Sequence, residues 1–277
     1  MYDAPHYLLI LRIATLTDTT TGTIVCSGSV LFIIESRSTV MNPQNAASSH
    51  ARRWQALGGV LFLAFFVAGD VLHGNLASMP LPLPNAPVAD VVQYFETSRT
   101  AALAVGILQA LSAISLFVFV GCVADFVRRT QREGSRLLLV TRVAGVLAAT
   151  FLLLCALLGL ALVAVVGSGD LTLVGILRSL NFLSGGTLHV ASLGLFAGAA
   201  SLAARSARAL PRWILWWGIV EAVVSVLSLA SLVVFPAALL ILLGRMLGFG
   251  WSIVVGLMLA FGRRHGPVAE GGQLVRS

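Results

Sequence analysis

The sequence predicts an all-α integral membrane protein, with six transmembrane helices in an antiparallel bundle. Long apolar segments fill residues 55–262, and 58% of the chain is hydrophobic while only 10% is charged. The arginines between the segments fall nearly all on one side of the predicted membrane. A spanning helix needs about 20 apolar residues, because the hydrocarbon core is roughly 30 Å thick and offers no water to unpaired backbone groups. This composition excludes an ordinary soluble domain.

Residues 1–54 are predicted to form a cytoplasmic N-terminal segment. Their apolar run, residues 24–34, would span only about 16 Å and is too short to cross a bilayer. It is also a poor signal peptide, because Glu35 follows it and no A-x-A cleavage site is present. Met41 then opens a polar, positive lead. We hypothesise that translation starts at Met41 and that residues 1–40 are an over-extended reading frame or disordered.

Six apolar segments are long enough to cross the membrane, and together they make the predicted domain of residues 55–262. Residues 263–277 are predicted to be a disordered cytoplasmic tail. The six predicted spans cover residues 55–74, 101–126, 137–166, 171–203, 213–235 and 237–262.

The connection after the first span is rich in proline. Four prolines between residues 78 and 87 favour extended backbone. Val88, Val91, Val92 and Phe95 then follow at i, i+3, i+4 and i+7, which predicts a short amphipathic helix along the membrane interface. A lid over a ligand is the alternative interpretation of this segment.

Two further patterns predict how the spans sit and pack. Trp213, Trp216 and Trp217 open the fifth span, where amphipathic rings anchor at headgroup depth. The glycine pairs 194/198 and 244/248 are small-xxx-small motifs, which predict close helix approach.

The distribution of charge predicts the topology. The formal net charge is +7, all basic residues are arginine, and the loops opposite the arginine-rich ones contain only Arg99. The positive-inside rule therefore places both termini and the arginine-rich loops on the cytoplasmic side of the membrane. Membrane lipids are the expected partners, and a nucleic-acid partner is excluded because no basic folded domain is present. The arginines on the expected cytoplasmic side are Arg52, Arg53, Arg128, Arg129, Arg132, Arg136, Arg142, Arg205, Arg208, Arg212, Arg263, Arg264 and Arg276.

Ionisable residues inside a membrane are rare, and they usually face the bundle interior and pair or serve a function. From depth along the helices we predict two ion pairs, Glu221–Arg245 and Asp70–Arg178. Static pairs would fix helix register. The other interpretation is a polar cavity that binds a small or anionic ligand or relays protons through His189 and Glu221. The candidate ligand-binding residues are Asp70, His73, Arg178, Asn181, His189, Glu221 and Arg245.

The sequence predicts no catalytic, metal or cofactor site. Ser184-Gly185 in the fourth span invites comparison with rhomboid proteases, but Phe182 replaces their first glycine and the sixth span has no histidine base. Metalloprotease and nucleotide-binding motifs are absent. The three cysteines have no metal-ligand spacing, and we expect no disulfide.

Three stretches carry a resemblance to a known group. They are APVADVVQYFETSR before the second span, the RR-rich loop after it, and ALPRWILWWGIVEAVVSVLSLASLVVFP entering the fifth. They resemble a broad family of uncharacterised six-helix membrane proteins of high-GC bacteria, in which an LPRWLxWxG element opens helix five. The resemblance covers residues 52–264 and implies the fold but no activity.

The predicted function is therefore a non-enzymatic inner-membrane protein with an internally charge-paired polar core. The alternative is a small-solute or proton-coupled transporter that uses the polar residues of the fourth to sixth spans. Helices broken at the midplane favour transport, and Gly185-Gly186 offers one candidate break. A third interpretation is an accessory subunit bound to another membrane protein, or a homo-oligomer.

Overall fold

The computed structural model describes residues 43–83, 85–131, 135–206 and 210–261. The expectations for residues 1–40 and for the tail after residue 262 lie outside the described residues.

The described residues form seven helices and no strand, and six of the helices are long and apolar enough to cross a membrane. The prediction of an all-α, six-span membrane protein is confirmed. The helices are α1 (Pro43–Leu76), α2 (Val88–Thr97), α3 (Arg99–Thr130), α4 (Arg136–Val165), α5 (Leu171–Phe182, a π-helical segment Leu183–Leu188, and His189–Ser206), α6 (Arg212–Leu227) and α7 (Ala238–Phe261).

Short 3-10 turns connect or extend the spans. Val166–Ser168 follows α4, Ser228–Leu232 prolongs α6, and Phe235–Ala237 leads into α7. The helices run past several predicted span ends, because polar residues continue a helix once it has left the hydrocarbon. Helix α1, for example, begins at Pro43, well before the first apolar segment. We call the end of the bundle at which α2 lies the proline-loop end, and the opposite end the arginine-rich end.

The amphipathic helix predicted after the prolines is present as α2. Its Val91, Tyr94 and Phe95 are buried, and they pack against residues at the end of α4 and the start of α5, including Leu162 and Val174. The opposite face of α2 is exposed. Burial raises the pKa of the Tyr94 hydroxyl above its ordinary value. The helix therefore rests on the spans as an integral part of the proline-loop end.

Close helix contacts hold the bundle together, as the glycine pairs predicted. A Cβ added at Gly194 would lie 2.4 Å from the Cβ of Ser225, and one at Gly248 would lie 2.6 Å from Leu193 Cδ2. These short distances show that the helix backbones approach closely. Close packing holds helices together in a bilayer, because lipid supplies no hydrophobic force between them. Nearby, the rings of Phe119, Phe196 and Trp251 form an edge-to-face cluster with centroids 5.7–6.4 Å apart.

Helix α5 changes neighbours at its π-helical segment. Its first part, Leu171–Phe182, packs mainly on α4 and α2, and Val174 is its one buried residue. Its last part, His189–Ser206, packs on α4, α6 and α7 and is buried along almost its whole described length. A groove of about 740 Å³ lies beside the first part and reaches Leu232 beyond α6. The π-helical segment is thus where the packing of the fourth span switches.

Candidate functional site

The candidate site centres on Arg245 of α7 and the π-helical segment of α5. An Nη2 group of Arg245 donates a hydrogen bond to the carbonyl oxygen of Gly185. The guanidinium carbon also lies 5.1 Å from the ring centroid of Phe66 on α1, a cation–π distance. Because π-helical turns shift the backbone hydrogen-bond pattern and often mark functional sites, a side chain can reach a backbone carbonyl here. Three spans therefore meet at this cation.

The charge of Arg245 is not matched by a contacting carboxylate among the described residues. Within the described parts of the chain, Arg245 makes no ion pair within 4.0 Å, and its buried Nε has no hydrogen-bond partner. Asp70 of α1 interacts with it electrostatically from a longer range, while its own side chain is exposed. An arginine at this depth normally pairs or serves a function. The site therefore presents a half-buried cation that no carboxylate among the described residues contacts.

The predicted Glu221–Arg245 pair is wrong. Glu221 is fully buried on α6, and neither of its carboxyl oxygens has a hydrogen-bond partner among the described residues. Its carboxyl group faces Gly248, where an added Cβ would lie 2.8 Å from Oε1. Gly248 follows Arg245 by three residues, which rotates its position by about 60° and moves it by about 4.5 Å along α7. Position along each helix predicted that Glu221 and Arg245 lie at similar depths in the membrane. It does not predict how one helix is rotated about its axis relative to the other.

The predicted Asp70–Arg178 pair is also wrong. Arg178 donates from Nη1 to the carbonyl oxygen of Ala86 at 2.7 Å and from Nη2 to the carbonyl oxygen of Leu83. It therefore fastens the proline-rich connection to α5 instead of serving the interior. A guanidinium offers five donors, and an extended, proline-rich backbone leaves its carbonyl groups free to accept them. Carbonyl acceptors carry no side-chain signal, so the sequence did not reveal this contact.

Asn181 joins the site through Cys155 of α4. Its Nδ2 donates to the carbonyl oxygen of Cys155 at 2.6 Å and lies 3.3 Å from its Sγ. Gln109 of α3 also hydrogen-bonds the Cys155 side chain, and Arg245 interacts with Cys155 electrostatically. The sequence pattern gives Cys155 neither metal-ligand spacing nor a disulfide partner. Its place beside the polar centre comes from the pairing of α4 with the π-helical segment, for which the sequence had no signal beyond Gly185-Gly186.

The two intramembrane histidines lie at different places. His189 is fully buried one turn after Gly185, and its Nδ1 donates to the carbonyl oxygen of Ala148 at 2.8 Å. It interacts electrostatically with Arg245. The ring of His73 instead packs at a tilt of 42° against that of Tyr94, with ring centroids 5.7 Å apart. Each has a buried Nε2 without a partner among the described residues. In that same part of the chain, no group of three or more His, Cys, Asp or Glu side chains is placed to hold a metal ion.

The structure therefore divides the candidate residues into three places. Asn181, His189 and Arg245 gather at the π-helical segment, with Asp70 in electrostatic range. His73 and Arg178 lie near α2 and its connection, and Glu221 lies beside Gly248. The 740 Å³ groove is lined by Arg178, Phe182 and Leu183 among others, so it reaches the first residue of the π-helical segment.

No protein-family model, no curated protein and no solved structure matches this chain. The candidate function is therefore argued from the site alone.

Proposed function

We propose that this protein is a non-enzymatic carrier of the bacterial cytoplasmic membrane, which binds a small anionic solute at Arg245. The observation that carries the proposal is the hydrogen bond from Arg245 to Gly185 in a π-helical turn, made while no carboxylate among the described residues contacts Arg245. The two predicted ion pairs would have neutralised the charges of the interior without a ligand. Their absence from the described residues favours the interpretation in which the interior takes a ligand.

The chemistry of the site favours an oxyanion. A guanidinium presents parallel N–H donors that match a carboxylate or phosphate in two-point geometry. Arg245 uses Nη2 toward Gly185, while its buried Nε has no partner among the described residues. The Phe66 ring contacts the guanidinium through its π face, so it takes up none of the N–H donors. A small carboxylate or phosphate is therefore the proposed solute class.

The change in packing along α5 supports entry from the proline-loop end. In many transporters the solute binds near the midplane, where helices are discontinuous, and one group of helices rocks against the other. Here the first part of α5 packs apart from α6 and α7, while its last part is embedded among them. With the arginine-rich end placed in the cytoplasm by the positive-inside rule, this entry would face the outside. The resemblance to uncharacterised bacterial membrane proteins stays a prediction.

The test is thermal unfolding of the full chain in mild detergent, with acetate, succinate, benzoate or phosphate added. A ligand at one hundred times its Kd stabilises the folded state by about 2.7 kcal/mol, which for a chain of this size is a shift of about 5 °C or more. We expect at least one of these anions to stabilise the wild type and to lose that effect in Arg245→Gln. Arg136→Gln is the matched control, because Arg136 is exposed at the arginine-rich end.

Two results would contradict this proposal. One is a wild type that none of the four anions stabilises. The other is equal stabilisation of the wild type and Arg245→Gln, which would place any bound anion elsewhere. Arg245→Lys separates charge from shape: it keeps the positive charge but loses the two-point geometry, so we expect weakened but measurable stabilisation.

A further inference from the structure

A second groove lies between α3 and α4 at the arginine-rich end, and none of its lining residues belongs to the Arg245 site. It has a volume of about 380 Å³. Its lining runs from the apolar Phe117, Val120 and Gly121 to the charged Asp125 and Arg128 on α3, with Arg142 and Val146 on α4. The groove thus has an apolar part and, at one end, a charged mouth formed by Asp125, Arg128 and Arg142.

The charges at the mouth are unbalanced. Asp125 forms ion pairs with both Arg128 and Arg129. Arg142 lines the same groove and makes no ion pair in the part of the chain that the structure describes. Two arginines, Arg128 and Arg142, therefore line the groove with one aspartate, which leaves one positive charge in excess, and Arg129 adds a second positive charge beside Asp125. A basic pocket between spans is the kind of site that holds an anionic lipid headgroup.

The positions along the helices match the depth of a phospholipid. Asp125 precedes the end of α3 by five residues, and Arg142 follows the start of α4 by six, which places both about 8–9 Å inside the helix ends. Phe117 lies about 12 Å deeper on α3 than Asp125. A headgroup phosphate at the arginines would therefore leave the start of an acyl chain along the apolar part of the groove.

Gly121 makes room for that chain. A Cβ added at Gly121 would meet no atom within 4 Å, so the missing side chain leaves open space instead of a helix contact. Val118, Val143 and Val146 around it are exposed, which is the state expected of a surface that faces lipid. At Gly145, by contrast, an added Cβ would lie 2.6 Å from Val120 Cγ1, so that glycine serves packing.

We infer that the groove formed by Gly121, Arg128 and Arg142 is a binding site for one anionic phospholipid. Its phosphate would lie between Arg128 and Arg142, and its first acyl carbons would lie over Gly121. A volume near 380 Å³ holds a headgroup and the beginning of a chain, and it falls within the range of small-molecule sites. The inference is independent of the proposed solute site, since the two share no residue.

The experiment is native mass spectrometry of the full chain in detergent, titrated with phosphatidylglycerol and, separately, with phosphatidylcholine of the same acyl chains. We expect the wild type to bind the first phosphatidylglycerol at least fivefold more tightly than the first phosphatidylcholine. Arg142→Gln removes one cation, so we expect it to weaken phosphatidylglycerol about fivefold, while Arg142→Lys keeps most of the affinity. Gly121→Leu fills the groove without changing charge and is expected to remove the preference for phosphatidylglycerol.

Matched controls separate the site from general effects. Arg136→Gln removes an exposed arginine from the same end, and Gly74→Leu enlarges another glycine whose added Cβ meets no atom. Both are expected to bind phosphatidylglycerol as the wild type does. Because Gly121 and Arg142 are exposed, their variants are expected to fold, which the same spectra and a thermal scan report.

Four results would overturn the inference. The first is equal binding of the two lipids by the wild type. The second is wild-type phosphatidylglycerol affinity in either Arg142→Gln or Gly121→Leu. The third is displacement of phosphatidylglycerol by millimolar inorganic phosphate, which would assign the groove to a free anion. The fourth is a dimer that Gly121→Leu converts to a monomer, which would assign the groove to a second copy of the chain.

Discussion

The backbone of Gly185 lies against the thiol of Cys155, so closely that a Cβ added to Gly185 would fall 2.1 Å from Sγ. This contact brings the π-helical segment of α5 against α4 beside the carbonyl group that accepts from Arg245. Together with Asn181, which bonds to the carbonyl oxygen of Cys155, it sets where the polar centre forms.

Gly185→Ala is therefore expected to destabilise the protein by about 1–3 kcal/mol, the usual range for overpacking a well-packed interior. Thermal or denaturant unfolding in detergent measures it. In a Cys155→Ala background the sulfur is gone, so we expect the same substitution to cost less. Gly167→Ala is the control, because its added Cβ meets no atom within 4 Å. Equal losses for Gly185→Ala in the two backgrounds would show that the thiol does not limit the space.

Arg178→Gln is expected to release the proline-rich connection from α5. Two hydrogen bonds from a charged donor are lost, at about 1–3 kcal/mol in total for a half-buried group. Hydrogen–deuterium exchange of the peptide covering residues 77–87 measures the effect, and we expect faster exchange there. Arg99→Gln at the same end of the bundle is the control. Unchanged exchange in Arg178→Gln would mean that α2 and its packing hold the connection without the arginine.

Glu221→Gln tests the structure against the ion pair that the sequence predicted. Among the described residues no cation contacts Glu221, and the amide has the same shape, so we expect a change in the free energy of unfolding of about 1 kcal/mol or less. Breaking a buried ion pair would instead cost about 3–5 kcal/mol. Thermal unfolding separates the two outcomes. A loss in the larger range, matched by that of Arg245→Gln and not additive with it, would restore the pair.

Orientation is testable with single cysteines in a chain whose own three cysteines are replaced. Ser168→Cys lies in the turn between α4 and α5 at the proline-loop end, and Ser135→Cys lies just before α4 at the arginine-rich end. In intact bacterial cells expressing the protein, a membrane-impermeant maleimide is expected to label Ser168→Cys at once and Ser135→Cys only after permeabilisation. The reverse pattern would place the arginine-rich end outside and overturn the positive-inside argument for this chain.

Much of the architecture follows from the sequence because its causes are local. Apolar length alone identifies the six spans, since the bilayer admits few other structures. The 3.6-residue period of Val88, Val91 and Phe95 predicts α2, and its buried face confirms it. The glycine pairs likewise mark places where helices touch, as Gly194 and Gly248 do.

The contacts made by the polar side chains are seen only in the tertiary structure. Arg178 and Arg245 both donate hydrogen bonds to backbone carbonyl oxygens. Every residue has a carbonyl group, so the sequence does not show which of them can accept from a side chain. Glu221 faces Gly248 instead of Arg245 because of how α6 and α7 are rotated against each other. Hydropathy fixes where a residue lies along the membrane normal, whereas rotation about each helix axis depends on packing across the whole bundle. The sequence by itself therefore determined which groups lie within the membrane, and only the tertiary structure decided which of them meet.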